Sequence, residues 1–265
     1  MTKLTLLTAI IALAAVHGHC QERAHPIAFE VASITPCKAG TPAPPGEHAG
    51  MADFIAPGGR FHAQATTVKF LLEWAYGIVP AEHSGGPSWM ENDRYDILAK
   101  AEGNPSDADV KRMAQTLLAD RFKLRFHREA REISVLLVSA GAAPPKMLPP
   151  KEAETHGIRV VHQTDQDQTT VGYHVVATRF TLADLNQVFA RQIGRVIVDE
   201  TGLKGEFDFA FDLVPDETQP NPLDASLLVG AMREQLGLTV KSAKRPVDVM
   251  VIDNLEKVAA GNGPN

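Results

Sequence analysis

Residues 118–138 and 232–252 align without a gap at a constant offset of 114. The first stretch reads LADRFKLRFHREAREISVLLV and the second MREQLGLTVKSAKRPVDVMVI. Letters are rarely shared, but the plan is: each ends a helix, enters a strand at Leu124 or Leu238, carries a charged stretch, and leaves on an apolar strand. A fixed internal period is the strongest constraint a sequence places on architecture, because each copy must repeat one supersecondary unit. The upstream residues extend the match. Phe61-His62 pairs with Tyr173-His174 at strand starts, Thr67-Val68 with Thr181-Leu182 at helix starts, and Tyr95-Asp96 with Phe207-Asp208 inside strands. Each half then reads strand, strand, helix, strand, strand, helix, strand, strand, with leading strands at residues 28–34 and 158–162. The charged stretches 127–132 and 241–246 are expected to be hairpin turns.

The helices are legible from their caps and faces. Ser106 and Asp109 resemble a capping box with Asp in place of Glu, and Thr181 with Asp184 is a second. Val110, Met113, Ala114, Leu117 and Leu118 fall on one face at helical spacing, as do Val68, Leu71, Leu72 and Ala75. Leu182, Leu185 and Phe189 follow the second cap. Leu228, Ala231, Met232 and Leu236 mark the last helix, with Gly237 as its stop. Phe207, Phe209 and Phe211 alternate with Asp208, Ala210 and Asp212, as one-faced strands do. The run 247–252 is more uniformly apolar and is expected to be a central strand. One-faced helices on mixed or antiparallel sheets predict an α+β class of internally duplicated modules.

The chain start is read as processing rather than fold. Lys3 precedes an apolar run from residue 4 to 16, too short to span a bilayer but fitting a secretory signal. This predicts a signal peptide at 1–20, a first module at 26–140, a Pro-rich linker at 141–156, a second module at 157–257, and a disordered tail at 258–265. The protein is expected to be extracytoplasmic, periplasmic or secreted. Cys20 raises lipid anchoring, which His17-Gly18-His19 fits poorly. Cys37 would be the remaining cysteine, and its place beside Pro36 does not mark a nucleophile. Net charge is −6 over the 265 residues. Loss of the leader removes Lys3 and makes it −7, so no electrostatic case exists for nucleic acid as partner.

Five segments stand out in order: Phe29-Glu30-Val31-Ala32-Ser33-Ile34, Gly85-Gly86-Pro87-Ser88-Trp89, Asp93-Arg94-Tyr95-Asp96, Leu117-Leu118-Ala119-Asp120-Arg121-Phe122, and Val198-Asp199-Glu200-Thr201-Gly202-Leu203. With these the chain resembles the soil-associated family of secreted proteins expanded in Acidobacteria, a domain of unknown function. The resemblance covers roughly residues 26–257. In some relatives a similar domain follows the membrane segments of a BlaR-type sensor peptidase. This sequence has neither such segments nor a His-Glu-x-x-His motif. Residues 223–253 are also similar to the small secretin and TonB N-terminal modules, which implies protein–protein contact by fold analogy alone.

No familiar catalytic set stands out. The histidines are dispersed, so no metal site is expected, and His62 with His174 are read as repeat partners. There is no Gly-x-Ser-x-Gly elbow, phosphate loop or dinucleotide fingerprint, and no cofactor is implied. Asp199-Glu200-Thr201-Gly202 lacks the ligand count of a calcium loop and reads as a turn. The candidate binding residues are His83, Gly85, Gly86, Ser88 and Trp89, where two glycines and a proline bend the chain beside an indole; an inter-module groove is the companion surface. The same turn also reads as one that docks Trp89 into the core. The leading expectation is a secreted or envelope-associated, non-catalytic binding protein for an unknown envelope protein or small ligand. An extracytoplasmic hydrolase with a site outside known motifs, or a sensory module acting with a partner peptidase, are the alternatives.

Overall fold

The computed structural model describes residues 27–43, 54–56, 58–151, 155–167, 170–215 and 225–258. The signal peptide, Cys20, most of the loop at 41–50, and all of the tail at 258–265 except its first residue lie outside the described residues. The chain is a mixed α+β protein with three sheets.

The first half contains β1 (Val31–Pro36), β2 (Ile55–Ala56), β3 (Arg60–Thr67), α1 (Val68–Tyr76), a 3-10 turn (Pro80–Glu82), β4 (His83–Gly85), α2 (Trp89–Asn92), β5 (Arg94–Lys100), α3 (Asp107–Arg121) and β6 (Arg125–Ala140). The second contains β7 (Gly157–Thr164), β8 (Thr170–Phe180), α4 (Leu182–Ile193), β9 (Ile197–Asp199), β10 (Phe207–Leu213), α5 (Ala225–Gly230), a π-helical turn (Ala231–Gln235) and β11 (Leu238–Asn254). The capping signals hold. Ser106, Thr67 and Thr181 each accept a backbone N–H of the first turn of α3, α1 and α4, and Thr181 and Asp184 satisfy each other's backbone donors.

The sheets run β1-β5-β3-β2, β10-β8-β7, and β4-β11-β6-β9. The third sheet corrects the expected hairpins. Residues 125–140 are one strand of 16 residues and 238–254 one of 17, paired antiparallel along their whole length. The charged stretches do not turn. They lie opposite each other, with Arg131 on Val247 and Glu132 on Pro246. Most side chains of this stretch are exposed, so the middle of the ribbon needs no apolar alternation, and β6 holds no Gly, Pro, Asn or Asp to start a turn. Pro246 is tolerated because β11 has only β6 beside it at that level; β4 joins further on, at Met250 to Ile252. As expected, the apolar end of β11 is central, lying between β4 and β6.

The ribbon connects two cores. Leu124, Met250, Ile252 and Leu255 pack with Leu71, Leu72, Tyr95, Ile97, Leu118 and Phe122 in the first. Leu136, Val138, Leu238 and Val240 pack with Leu185, Phe189, Phe209, Phe211 and Met232 in the second. A short parallel strand flanks the ribbon at each end: His83 to Gly85 against Met250 to Ile252, and Ile197 to Asp199 against Leu136 to Val138. Both partners shift by 114 residues from one end to the other. The two halves also share a left-handed residue in matching bulges, Ala65 (φ 45°) and Arg179 (φ 53°). Their sheets differ in order, however: β5 and β3 are both interior in the first half, and β8 alone is interior in the second. Helix α2 has no counterpart among the described residues of the second half.

Candidate functional site

The turn after β4 is built around close backbone approach. Gly85 (φ 79°) lies so near β11 that a Cβ would sit 3.1 Å from the carbonyl oxygen of Ile252. At Gly86 (φ 83°) a Cβ would stand 2.7 Å from Sδ of Met90. Both positions therefore require glycine for conformation and for space. Pro87 and Ser88 lead into α2, and the Ser88 carbonyl accepts a hydrogen bond from Nδ2 of Asn92. Met90, 2% exposed, is the residue this turn drives fully into the core. Trp89 is half-buried at its edge, with its ring T-shaped to Tyr95 at 6.5 Å between centroids. Lys257 Nζ lies 5.7 Å above the indole and pairs with Asp93 at 2.5 Å. The turn thus joins α2, β11 and the segment after it, and Trp89 lies between core and surface.

His83 opens β4, and its Nε2 lies 2.8 Å from Oε1 of Glu73 on α1. The two side chains are 7% and 14% exposed. Ser84 accepts a hydrogen bond from Arg131 of the ribbon at 2.9 Å. It is therefore held by a cation rather than activated by a base, and it does not form a nucleophile pair with His83. Two more histidine–carboxylate pairs among the described residues, His127 with Asp253 and His174 with Asp212, are exposed. Among the described residues His62 has no carboxylate partner, so the repeat positions 62 and 174 differ in environment. Among the described residues, no three His, Cys, Asp or Glu side chains come together as a metal ion would need. Cys37 is part-buried, and burial together with the nearby Asp96 carboxylate raises its thiol above the ordinary range, which favours the unreactive protonated form.

The junction between the halves supplies the second surface. The left-handed C-cap Gly77 ends α1 against α4, with Nε2 of Gln187 3.5 Å from where a Cβ would be. Beside it is a groove of about 430 Å³, lined by Gly77, Val79 and Glu82 from the first half and by residues of α4 and β9 from the second. Its acids are Glu82, Asp184 and Asp199, and no lysine or arginine lines it. Asn186 also lines it, 6% exposed; its amide oxygen is closed off from solvent and has no hydrogen-bond partner among the described residues. One turn further along α4, Arg191 is half-buried with Nε and Nη2 unpaired; burial pulls its pKa down while Glu73 opposes that shift. Burial also pulls Lys111 down, and Arg191 adds to that by repulsion.

Sequence reasoning placed His83, Gly85, Gly86, Ser88 and Trp89 on one turn, and the structure keeps them consecutive there. It named a groove between the halves without its residues. Asp184 was visible only as a helix cap and Asp199 only as a turn residue, and both are those things: Asp199 Oδ1 accepts from the backbone N–H and hydroxyl of Thr201. Nothing in the local pattern around Asn186 marks it as buried beside an open groove.

No curated protein and no solved structure matches the chain. Among the described residues no helix is long and apolar enough to cross a membrane. Residues 69–255, more than half of the chain, match the family model described as "Protein of unknown function (DUF3738)", and the chain belongs to that family.

Proposed function

We propose that the protein is a non-catalytic binding protein of the extracytoplasmic envelope, built from two copies of one α+β plan, whose recognition surface is the groove between the halves and the adjoining turn at residues 83–89. The observation that carries the reading is the groove itself. Both halves contribute to it, Glu82 on its wall precedes His83 of the buried His83–Glu73 pair, and Asn186 of α4 stands in its wall. The envelope assignment rests on the leader-like residues 1–20. The duplication is supported by the 114-residue shift that relates both short parallel pairings and both left-handed bulges.

The test is amide hydrogen exchange on the purified protein, with and without an envelope extract, for wild type and Trp89→Ala. The expected result is selective protection of α4 and residues 77–89 in wild type. In the variant, that protection is lost from the turn while the fold stays intact. Collapse of Trp89→Ala would return Trp89 to a purely structural role. Turnover of ester, peptide or glycoside substrates by the wild-type protein would replace binding with catalysis.

A further inference from the structure

We infer that the outer edge of β7 pairs with the same edge of a second copy of the chain, antiparallel and centred on Val160, so that two three-stranded sheets become one of six. β7 is an end strand of the sheet β10-β8-β7. Which of its residues face outward follows from the hydrogen bonds of β10. The side chain of Gln235 accepts the N–H of Asp212 and donates to its carbonyl, so Asp212 faces away from β8 and its neighbours Phe211 and Leu213 face toward it. Phe211 lies opposite Val175 and Leu213 opposite Tyr173, so the residue between, His174, bonds on the other side, to Val161 of β7. Alternation along β7 then turns the N–H and C=O of Ile158 and Val160 outward, and no backbone bond from another described segment meets them there.

The other strand edges among the described residues are guarded. Gln235 occupies that of β10, and Leu148 bridges to it at Asp208. β1 contains Pro36, and Arg121 of α3 reaches its Ala32 carbonyl at 3.5 Å. β2 has two residues, and the ribbon is flanked by β4 and β9 and charged between them. β7 has none of these devices. Its sequence GIRVVHQT holds one acidic or basic side chain, Arg159, no proline, and a register shift only at its last step. Ile158, Val160 and Val161 are 37%, 40% and 44% exposed. Val160 and Ile158 lie opposite Val175 and Ala177 on the face that carries the second core, so the apolar surface of the core runs out to the open edge. Such an edge is a template for another strand.

The sequence of β7 suits a copy of itself. A two-fold axis through Val160 keeps the two core faces on one side of the joined sheet. It sets Val160 against Val160, where two backbone hydrogen bonds are exchanged, Ile158 against His162, and Arg159 against Val161. Apolar meets apolar at the centre, no like charges stand opposite, and each His162 ring keeps its edge contact with Tyr173 at 5.2 Å. A charged foreign segment would find only Arg159 to recognise. β7 contributes no residue to the groove between the halves, so the two surfaces are independent.

One strand edge is at the small end of protein contacts, so a dissociation constant of about 10–100 µM is expected. Sedimentation equilibrium of the purified protein across that range should show monomer passing to dimer as concentration rises. Amide exchange at Ile158 and Val160 should slow at the high end, while Arg159 and Val161, already bonded to β8, stay unchanged. Val160→Lys sets a charge against its own copy and is expected to weaken the dimer about tenfold or more. A second pair of variants does not depend on that lysine being accommodated. With Cys20 and Cys37 changed to Ser, Val160→Cys should oxidise in air to a covalent dimer and Val161→Cys should not, because the axis brings only the residues at 160 within reach of a disulfide. A monomer at every concentration, a Val160→Lys dimer as tight as wild type, or equal cross-linking of the two cysteine variants would overturn the inference. If the protein alone stays monomeric while an envelope extract protects Ile158 and Val160, the edge takes a foreign strand and self-pairing falls.

Discussion

At the scale of single residues, Asp96 and Asp208 show what the bulges require. Ala65 and Arg179 adopt left-handed backbone, which costs a non-glycine residue about 1 kcal/mol or more unless its surroundings hold it there. In the first half, Oδ1 of Asp96 accepts the Ala65 N–H at 2.8 Å and Arg94 donates to the Ala65 carbonyl at 2.6 Å. In the second, Oδ1 of Asp208 accepts the Arg179 N–H at 2.8 Å, and Oδ2 accepts the N–H of Lys151. Asp96→Ala leaves the Ala65 donor unmet and is expected to cost about 1–2 kcal/mol in chemical denaturation. Asp208 adds a pH signature. The Arg179 N–H, followed by that of Lys151, holds its carboxyl below the usual range. A depressed folded-state pKa contributes stability that is complete above the unfolded value and is lost as pH falls through the folded one. The stability gap between wild type and Asp208→Asn should therefore be full at neutral pH and shrink below about pH 4, the ordinary carboxylate value. A gap that widened on acidification would show that the carboxylate is not what holds the bulge.

At the scale of elements, the turn after β4 makes the sharpest demand. Gly86→Ala adds a Cβ close to Met90 Sδ on left-handed backbone and is expected to cost about 1–3 kcal/mol, measured as a lowered unfolding midpoint. Gly157→Ala on β7 is the control: its Cβ meets nothing within 4 Å and its φ is not left-handed, so it should be neutral or slightly stabilising. Equal costs at the two positions would remove close packing as the reason for Gly86. How far these elements could be read from the sequence follows from where their causes lie. Caps such as Ser106 and Thr181, and the face of α3 from Val110 to Leu118, are local and were legible. The double glycine was legible as a bend, but not as a seat for Ile252, a residue far along the chain. The ribbon was misread because its charged middle looks like a turn when each strand is taken alone. Only the other strand, more than a hundred residues away, explains why it stays extended. The groove was least legible, because Glu82, Asp184 and Asp199 each have a complete local role that conceals their place in its wall.

At the scale of the whole molecule, β11 decides how the halves unfold. Its first residues, Leu238 and Val240, are buried in the second core, and its last, Met250 and Ile252, in the first. One continuous strand therefore closes both cores, and β6 does the same in the opposite direction, with Phe126 at the first and Val138 at the second. Unfolding either core frees one end of a ribbon whose remaining middle is mostly exposed, and a two-stranded ribbon without an apolar covered face is marginal by itself. The cores should thus melt as one cooperative unit. Met250→Ala and Leu238→Ala test this from opposite ends of the same strand. Met250 is 0% exposed and Leu238 3%, so each truncation is expected to cost about 2–5 kcal/mol. Calorimetry of both variants should show one transition, displaced downward in each case, with tertiary probes of both cores moving together. Two separated transitions, with Met250→Ala moving one and Leu238→Ala the other, would mean that the ribbon joins the cores without coupling them. The groove between the halves would then be a hinge rather than a fixed surface.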